Sequence, residues 1–251
     1  MNTQKLKTWM LRLPGGMRLR RLVHAHRFYR SVGGRKAPAD IFSHIYEANR
    51  WGENESLSGS GSTVRYTENI RREIPRLIAE LNVRRLLDAP CGDFNWFRLI
   101  PRLNGFSYLG GDIVPPLVQK NQNIFGDATT RFIELDIIKA PLPVADLWLC
   151  RDALFHFSYD DIFRTIRNFL RSDIRYLLTS THSECRENVD IPTGSFRLLN
   201  LELPPFNLGS AEIYIDDWIE GFPVRKLGLW EKDKLGAWLA NNSAFRKVNR
   251  P

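Results

Sequence analysis

The sequence predicts an α/β fold, a mostly parallel sheet with helices on both faces. Three observations predict it. Strand-like apolar runs alternate with helix-like segments from residue 84 to residue 182. The runs are continuously apolar, as strands buried on both faces are. Four of them end, in chain order, on an aspartate: Asp88, Asp112, Asp136 and Asp152.

The elements follow in order. Residues 1–38 form a basic arm. Ten basic residues and no acid precede Asp40, so the rest of the chain carries −2 of the total +8. Such an arm suits an RNA or an anionic membrane surface; the alternative is a solvated arm. Leu19, Leu22, Val23, His26 and Tyr29 recur near helical spacing, with Arg18, Arg21 and Arg27 elsewhere, as on an interfacial helix. The stretch is also acid-poor and Arg-rich, like an organellar transit peptide. It lacks the apolar core of a secretory signal, and no run in the chain reaches transmembrane length. The expected location is the cytoplasm, peripheral to a membrane if the arm docks there, or an organelle if the arm is a transit peptide. His24 and His26 read as surface residues, without an acid or cysteine nearby. Cys91, Cys150 and Cys185 have neither disulfide-framework nor metal spacing, and a reducing compartment is expected.

"DIFSHIYEANRW" predicts a helix with Ile41, Phe42, Ile45 and Tyr46 on one face. A Ser/Gly loop follows. "TVRYTENIRREIPRLIAELN" predicts a second helix, which Pro75 kinks or divides. "RRLLDA", "SYLGGDI", "TRFIELDI", "VADLWLCRD" and "IRYLLTSTH" predict strands. "NWFRLIPRL", "PPLVQKNQNIF" and "YDDIFRTIRNFLRS" predict the helices among them. Residues 183–210, with "IPTGS" and "LPPFNLGS", cannot form one long helix. "AEIYIDDW" and "VRKLGLWE" predict two strands at an antiparallel end of the sheet.

The turn "LLDAPCGDF" closes the first strand, where open parallel sheets bind ligands. A dinucleotide loop needs several glycines to wrap a pyrophosphate. This one has Gly92 alone, with Pro90 and Cys91 before it, and Asp93 would repel phosphate. S-adenosylmethionine carries cations instead, a sulfonium and an ammonium, and suits an acid at the strand end and another in the turn. Asp112, 24 residues after Asp88, is placed to accept from ribose hydroxyls. Asp136 is placed to accept from the adenine amino group, and Ile113 and Ile137 to sandwich the ring. Each acid taken singly also reads as a helix cap or a solvated turn residue.

On "DAPCGDFNW" and "CRDALFH", with Trp51-Gly52 and the Ser58–Ser62 loop, the chain resembles class I S-adenosylmethionine-dependent methyltransferases. The closer resemblance is to a bacterial group of methyltransferase-domain proteins sharing these motifs, over residues 41–235. It implies a Rossmann-like sheet of seven strands, the last antiparallel. It also implies one domain over residues 39–251: N-terminal helices at 39–82, a cofactor-binding core at 83–182, and a substrate loop with C-terminal strands at 183–251. Asp88, Ala89, Pro90, Gly92 and Asp93 are expected around the methionine portion of the cofactor. Arg151 and Asp152 are expected beside the sulfonium or the acceptor.

His156 follows Asp152 by one helical turn and is the expected general base for an oxygen acceptor, with Asp152 the second catalytic candidate; the alternative is that His156 packs at a strand–helix junction. The Ser58–Ser62 loop reads as a flap or a plain linker. Arg186, Asn188, Arg197 and Asn200 are expected to bind a polar acceptor such as a sugar, or to solvate a loop. "RDALFH" is not the motif of exocyclic-amine methylation, and "TSTHSEC" lacks the acid–amide pair of metal-dependent catechol-type enzymes, so no metal is expected. The expected activity is methyl transfer to oxygen of a small-molecule or glycan-type acceptor. The alternatives are an RNA methyltransferase whose arm grips phosphates, and a non-catalytic module tethered by the arm.

Overall fold

The computed structural model describes residues 28–52, 54–102 and 104–248. The Leu19–Tyr29 helix expectation, His24 and His26, and most of the arm's charge lie outside these residues. So does any RNA or membrane contact made by residues 1–27.

Seven strands form one sheet in the order β3-β2-β1-β4-β5-β7-β6. They are β1 (Arg85–Asp88), β2 (Ser107–Asp112), β3 (Thr130–Glu134), β4 (Leu147–Cys150), β5 (Tyr176–Thr181), β6 (Ile213–Asp216) and β7 (Lys226–Glu231). β1 to β5 pair in parallel, and β7 runs antiparallel to both of its neighbours. Strand order reverses between β1 and β4, the place where ligands bind in such sheets. The helices are α1 (Pro38–Glu47), α2 (Glu68–Glu80), α3 (Pro115–Phe125), α4 (Tyr159–Arg171), α5 (Lys232–Leu239) and α6 (Ser243–Val248).

The apolar runs form the strands because both sheet faces are covered. All four residues of β4 are buried. One core holds Trp148, Leu87, Phe163 and Ile166, and a second holds Leu86, Leu149, Ile74 and Phe97. α4 begins at Ser158, whose hydroxyl accepts from the Asp161 N–H, and buries Ile162, Phe163, Ile166 and Phe169. α2 runs unbroken through Pro75.

Three sequence expectations are corrected. "NWFRLIPRL" makes only a three-residue 3-10 turn, Phe97–Leu99. Trp96, Phe97 and Ile100 are buried while Arg98 and Leu99 are exposed, and Pro101 stops the turn before it can lengthen. The helices α5 and α6 follow β7 where no element was expected. Packing also begins before the charge boundary at residue 38. Val32 is fully buried in the first core, and Phe28 and Tyr29 pack against it. Residues 183–210 are irregular but packed, with Leu199, Leu201, Phe206 and Leu208 at the centre of the fold.

Candidate functional site

Two cavities lie beyond the carboxyl ends of β1, β2 and β4. The first encloses about 970 Å³ counted together with its open mouth. Asp88, Pro90, Gly92, Asp112, Ile113, Asp136, Ile137, Arg151, Asp152 and His156 all line it. Ten of the sequence-predicted residues therefore converge on one space.

Asp88 and Asp112 are buried acids without a cation in hydrogen-bonding contact. Asp88 accepts from the Tyr108 hydroxyl at 2.7 Å. Burial pushes its carboxyl up to about 7, and the Tyr108 hydrogen bond only partly opposes this. Asp112 accepts from the Gly92 N–H at 3.0 Å and the Val114 N–H at 3.1 Å. Burial raises it to about 6 against those bonds. Asp136 turns one oxygen to the Ile138 N–H at 2.9 Å.

Two predicted residues of the turn do other work. Ala89 does not line the cavity. It is fully buried, donates its N–H to the Leu149 carbonyl and accepts from Trp148 Nε1, which seats the turn on the sheet. Asp93 does not line it either. Its carboxylate accepts from the Ser56 and Ser58 hydroxyls and from the Leu57 and Asn95 N–H groups. Asp93 thus latches the Ser/Gly loop. Gly92 is required partly by that loop: its φ is +56°, and a Cβ would lie 2.3 Å from Ser58 Oγ.

The Ser/Gly loop lines both cavities, through Ser58 and Ser62 in the first and Ser58 to Gly61 in the second. Its far end is held by Arg151, which donates to the Gly61 carbonyl at 2.6 Å. A Cβ on Gly61 would lie 2.8 Å from Asp152 Oδ2, so only glycine lets the loop approach.

Beside the loop, two arginines and two acids neutralise one another. Arg151 pairs with Asp217 through Nε at 3.0 Å and Nη2 at 2.9 Å. Arg225 pairs with Asp217 at 3.0 Å and with Asp152 at 2.8 Å. Burial raises the Asp217 carboxyl, but both guanidiniums outweigh it and hold the group below its ordinary value. Asp152 sits at φ +56° and accepts from the Ser180 hydroxyl. Its oxygens hold arginines in place.

His156 sits in a 3-10 turn, Leu154–His156. Its Nδ1 lies 2.8 Å from the Ser195 carbonyl, which can only accept. Nδ1 therefore carries the hydrogen and Nε2 the lone pair. Burial among rings lowers its basicity, so the imidazole is neutral near pH 7.

The second cavity, about 820 Å³ with its mouth, shares Trp51, Ser58, Asp152 and His156 with the first. The rest of its wall includes Tyr66, His182, Phe222 and Arg225, none named by the sequence reading. His182 accepts the Leu199 N–H on Nδ1 at 3.3 Å, and burial depresses it to about 4. The end of "TSTH" at β5 was the available signal.

The four residues expected to bind the acceptor line neither cavity. Asn188 donates to the Asn200, Leu203 and Pro204 carbonyls and accepts the Asn200 N–H. Asn200 contacts the Cys185 carbonyl and the Glu202 N–H. Arg197 is buried, donates to the Phe157 carbonyl and lies over the Tyr159 ring; burial lowers it to about 10. Arg186 is exposed. An irregular segment must satisfy its buried carbonyls with side chains, and Asn188, Arg197 and Asn200 do so.

Among solved structures, the chain is similar to PH0226 from Pyrococcus horikoshii OT3, with TM-score 0.53 and 15% identity, covering 74% of this chain and 98% of that one. It is similar to magnesium protoporphyrin IX methyltransferase (ChlM) from Synechocystis PCC 6803 with bound SAM, with TM-score 0.51 and 15% identity, covering 78% and 97%. The fold is the Rossmann-like fold of the methyltransferases. The methyltransferase domain of bacterial CtHen1 has it too, at TM-score 0.51 and 9% identity, covering 66% of this chain and 98% of that one. No family model and no curated protein matches the sequence. At these identities the likeness establishes the methyltransferase fold, and the chemistry rests on the residues.

Proposed function

We propose that the protein is a methyltransferase that uses S-adenosylmethionine and methylates an oxygen of a small-molecule acceptor. One observation carries this reading. Two adjoining cavities, one lined by strand-end carboxylates, share His156 and Asp152.

The residues present fit the donor. The first cavity brings together Asp88, Asp112 and Asp136, while its guanidinium, Arg151, is already paired with Asp217. A pyrophosphate would meet repulsion there. A ligand with two cations, ribose hydroxyls and an amino group supplies what the acids lack. Asp88 and the Pro90–Gly92 turn would hold its amino-acid portion, Asp112 the ribose, and Asp136 with Ile113 and Ile137 the adenine. Bound there, S-adenosylmethionine supplies a methyl group already activated on a sulfonium.

The chain's own work is positioning and proton removal. His156 Nε2 offers the lone pair that takes a hydroxyl proton. Asp152 holds Arg225 and Arg151 in place. The latched Ser/Gly loop excludes water from the junction. Three of the four loop residues that suggested a sugar acceptor, Asn188, Arg197 and Asn200, serve the fold instead, which favours a small molecule over a glycan.

The test is ligand stabilisation. S-adenosylmethionine and S-adenosylhomocysteine should raise the melting temperature and NAD should not; at a hundredfold over Kd the gain is about 2.7 kcal/mol. Asp112→Ala should cost about 1.5–3 kcal/mol of S-adenosylhomocysteine affinity, the range for a hydrogen bond to a charged group. Unchanged affinity in both Asp112→Ala and Asp88→Ala would remove the basis of the assignment.

A further inference from the structure

The second cavity also indicates what kind of acceptor it takes, an inference that rests on the methyl-transfer reading. Much of its wall is aromatic. His156 lies 5.4 Å from the Trp51 ring and 5.8 Å from Phe196, and Phe222 meets Tyr66 edge-on at 5.2 Å. Trp51, Phe196 and Phe222 remain 37%, 56% and 41% exposed. Large rings left uncovered around one cavity mark a surface for a flat apolar ligand.

The polar groups narrow the class. Arg151, Arg225, Asp152 and Asp217 already neutralise one another, so nothing in the wall calls for a charged acceptor. Beside His182, whose Nε2 carries its hydrogen, one buried arginine donor lacks a partner. Arg225 Nη2 is buried and has no hydrogen-bond partner, in a side chain only 8% exposed that lines this cavity. A buried orphan donor costs free energy until an oxygen meets it. His156 Nε2 adds one lone pair for a hydroxyl hydrogen.

We infer that the second cavity takes a neutral phenol, its ring among the aromatic side chains, its oxygen accepting from Arg225 Nη2 and its hydroxyl donating to His156 Nε2. As the oxygen–methyl bond forms, the carbon–sulfur bond of the donor breaks and its electron pair stays on sulfur. The hydroxyl proton passes to His156 Nε2. The products are an aryl methyl ether, a neutral thioether and an imidazolium. The acid strength of the acceptor agrees. A phenol titrates at about 10, well below an alkyl or sugar hydroxyl, and a burial-weakened imidazole is better matched to it.

The experiment has two stages on the full chain. S-adenosylhomocysteine is titrated first; absence of binding defeats the parent reading and this one with it. The loaded protein is then titrated with 2-naphthol, with saturated decahydro-2-naphthol and with methyl glucoside. Each is also incubated with S-adenosylmethionine and assayed for methyl ether. We expect 2-naphthol to bind about tenfold or more tighter than the other two, from ring contacts, and to be the compound methylated. Phe222→Ala, at an exposed position, should weaken naphthol binding about fivefold and leave S-adenosylhomocysteine affinity unchanged. With S-adenosylhomocysteine bound, any of four results overturns the phenol alone: no saturable naphthol binding, equal binding of the saturated alcohol, binding without ether formation, or unaltered naphthol affinity in Phe222→Ala.

Discussion

The carboxyl-end acids of the first cavity and the arginine-paired acids where the two cavities meet stand in opposite electrostatic circumstances. In the first, Asp88 and Asp112 are buried without a cationic hydrogen-bond partner, and their carboxyls are pushed up to about 7 and about 6. In the cluster where the cavities meet, Asp152 and the buried Asp217 are matched by Arg151 and Arg225, and Asp217 is held below its ordinary value. One region is electrostatically incomplete, and a cationic ligand would complete it. The other is complete in the free protein and serves as scaffold. A buried carboxylate is thus not one kind of object: its role depends on whether the chain itself supplies the counter-charge.

The sharpest way to break this comparison is to remove one acid from each region. Asp217→Ala leaves two buried guanidiniums short of a partner and should destabilise the protein by about 3–5 kcal/mol. Asp88→Asn keeps an acceptor for Tyr108 and removes an uncompensated charge. It should leave the free protein as stable as wild type, or more so, at pH 8. Urea unfolding of the two variants measures the contrast, and similar losses in both would erase it.

Next in size is the junction residue. His156→Asn should lower turnover by roughly a hundredfold or more while S-adenosylhomocysteine affinity stays near wild type. Wild-type turnover should rise with pH through a titration below the ordinary histidine value, because burial lowers that group. The variant should lose that limb. An unaltered pH–rate profile in the variant would return His156 to a packing role.

A smaller effect is the proton linkage of the first cavity. Raised carboxyls are protonated in the free protein at low pH; Asp88 must ionise to meet the ligand's ammonium, and Asp112 accepts from two ribose hydroxyls best as a carboxylate. S-adenosylhomocysteine affinity should therefore increase from pH 5.5 to pH 8, crossing the values of about 6 and about 7 for Asp112 and Asp88. Binding should release protons, seen as a dependence of calorimetric heat on buffer ionisation enthalpy. Asp88→Asn should flatten the upper part of the curve. Affinity independent of pH in wild type would mean that Asp88 does not meet the ligand's ammonium.

The smallest expected effect on either cavity comes from deleting residues 1–27. Cofactor affinity should not change, since both cavities are lined by residues from Phe42 onward. Retention on RNA or anionic vesicles at low salt should fall, because seven of the chain's basic residues go with the segment. Equal retention would show that the arm is not a polyanion anchor. Cutting at residue 38 would instead remove Val32 from the core.

The sequence by itself determined the sheet and the first cavity. Short continuous apolar runs bounded by turns and alternating with helical segments read as strands of a doubly covered sheet, and an acid at a strand's carboxyl end then lies at the ligand edge. Asp88, Asp112 and Asp136 follow from those two rules without a single long-range contact. Only the tertiary structure decided the arginine–acid cluster beside the second cavity. Arg151 and Asp217 are 66 residues apart, and no local pattern joins them. Arg225 reaches the ligand edge because β7 is antiparallel, which brings the start of that strand beside the ends of the others. The roles of Asp93 and Asn188 were hidden for a related reason. A polar residue in a loop looks the same in sequence whether it faces a ligand or satisfies the backbone of a neighbouring loop, and only packing distinguishes the two.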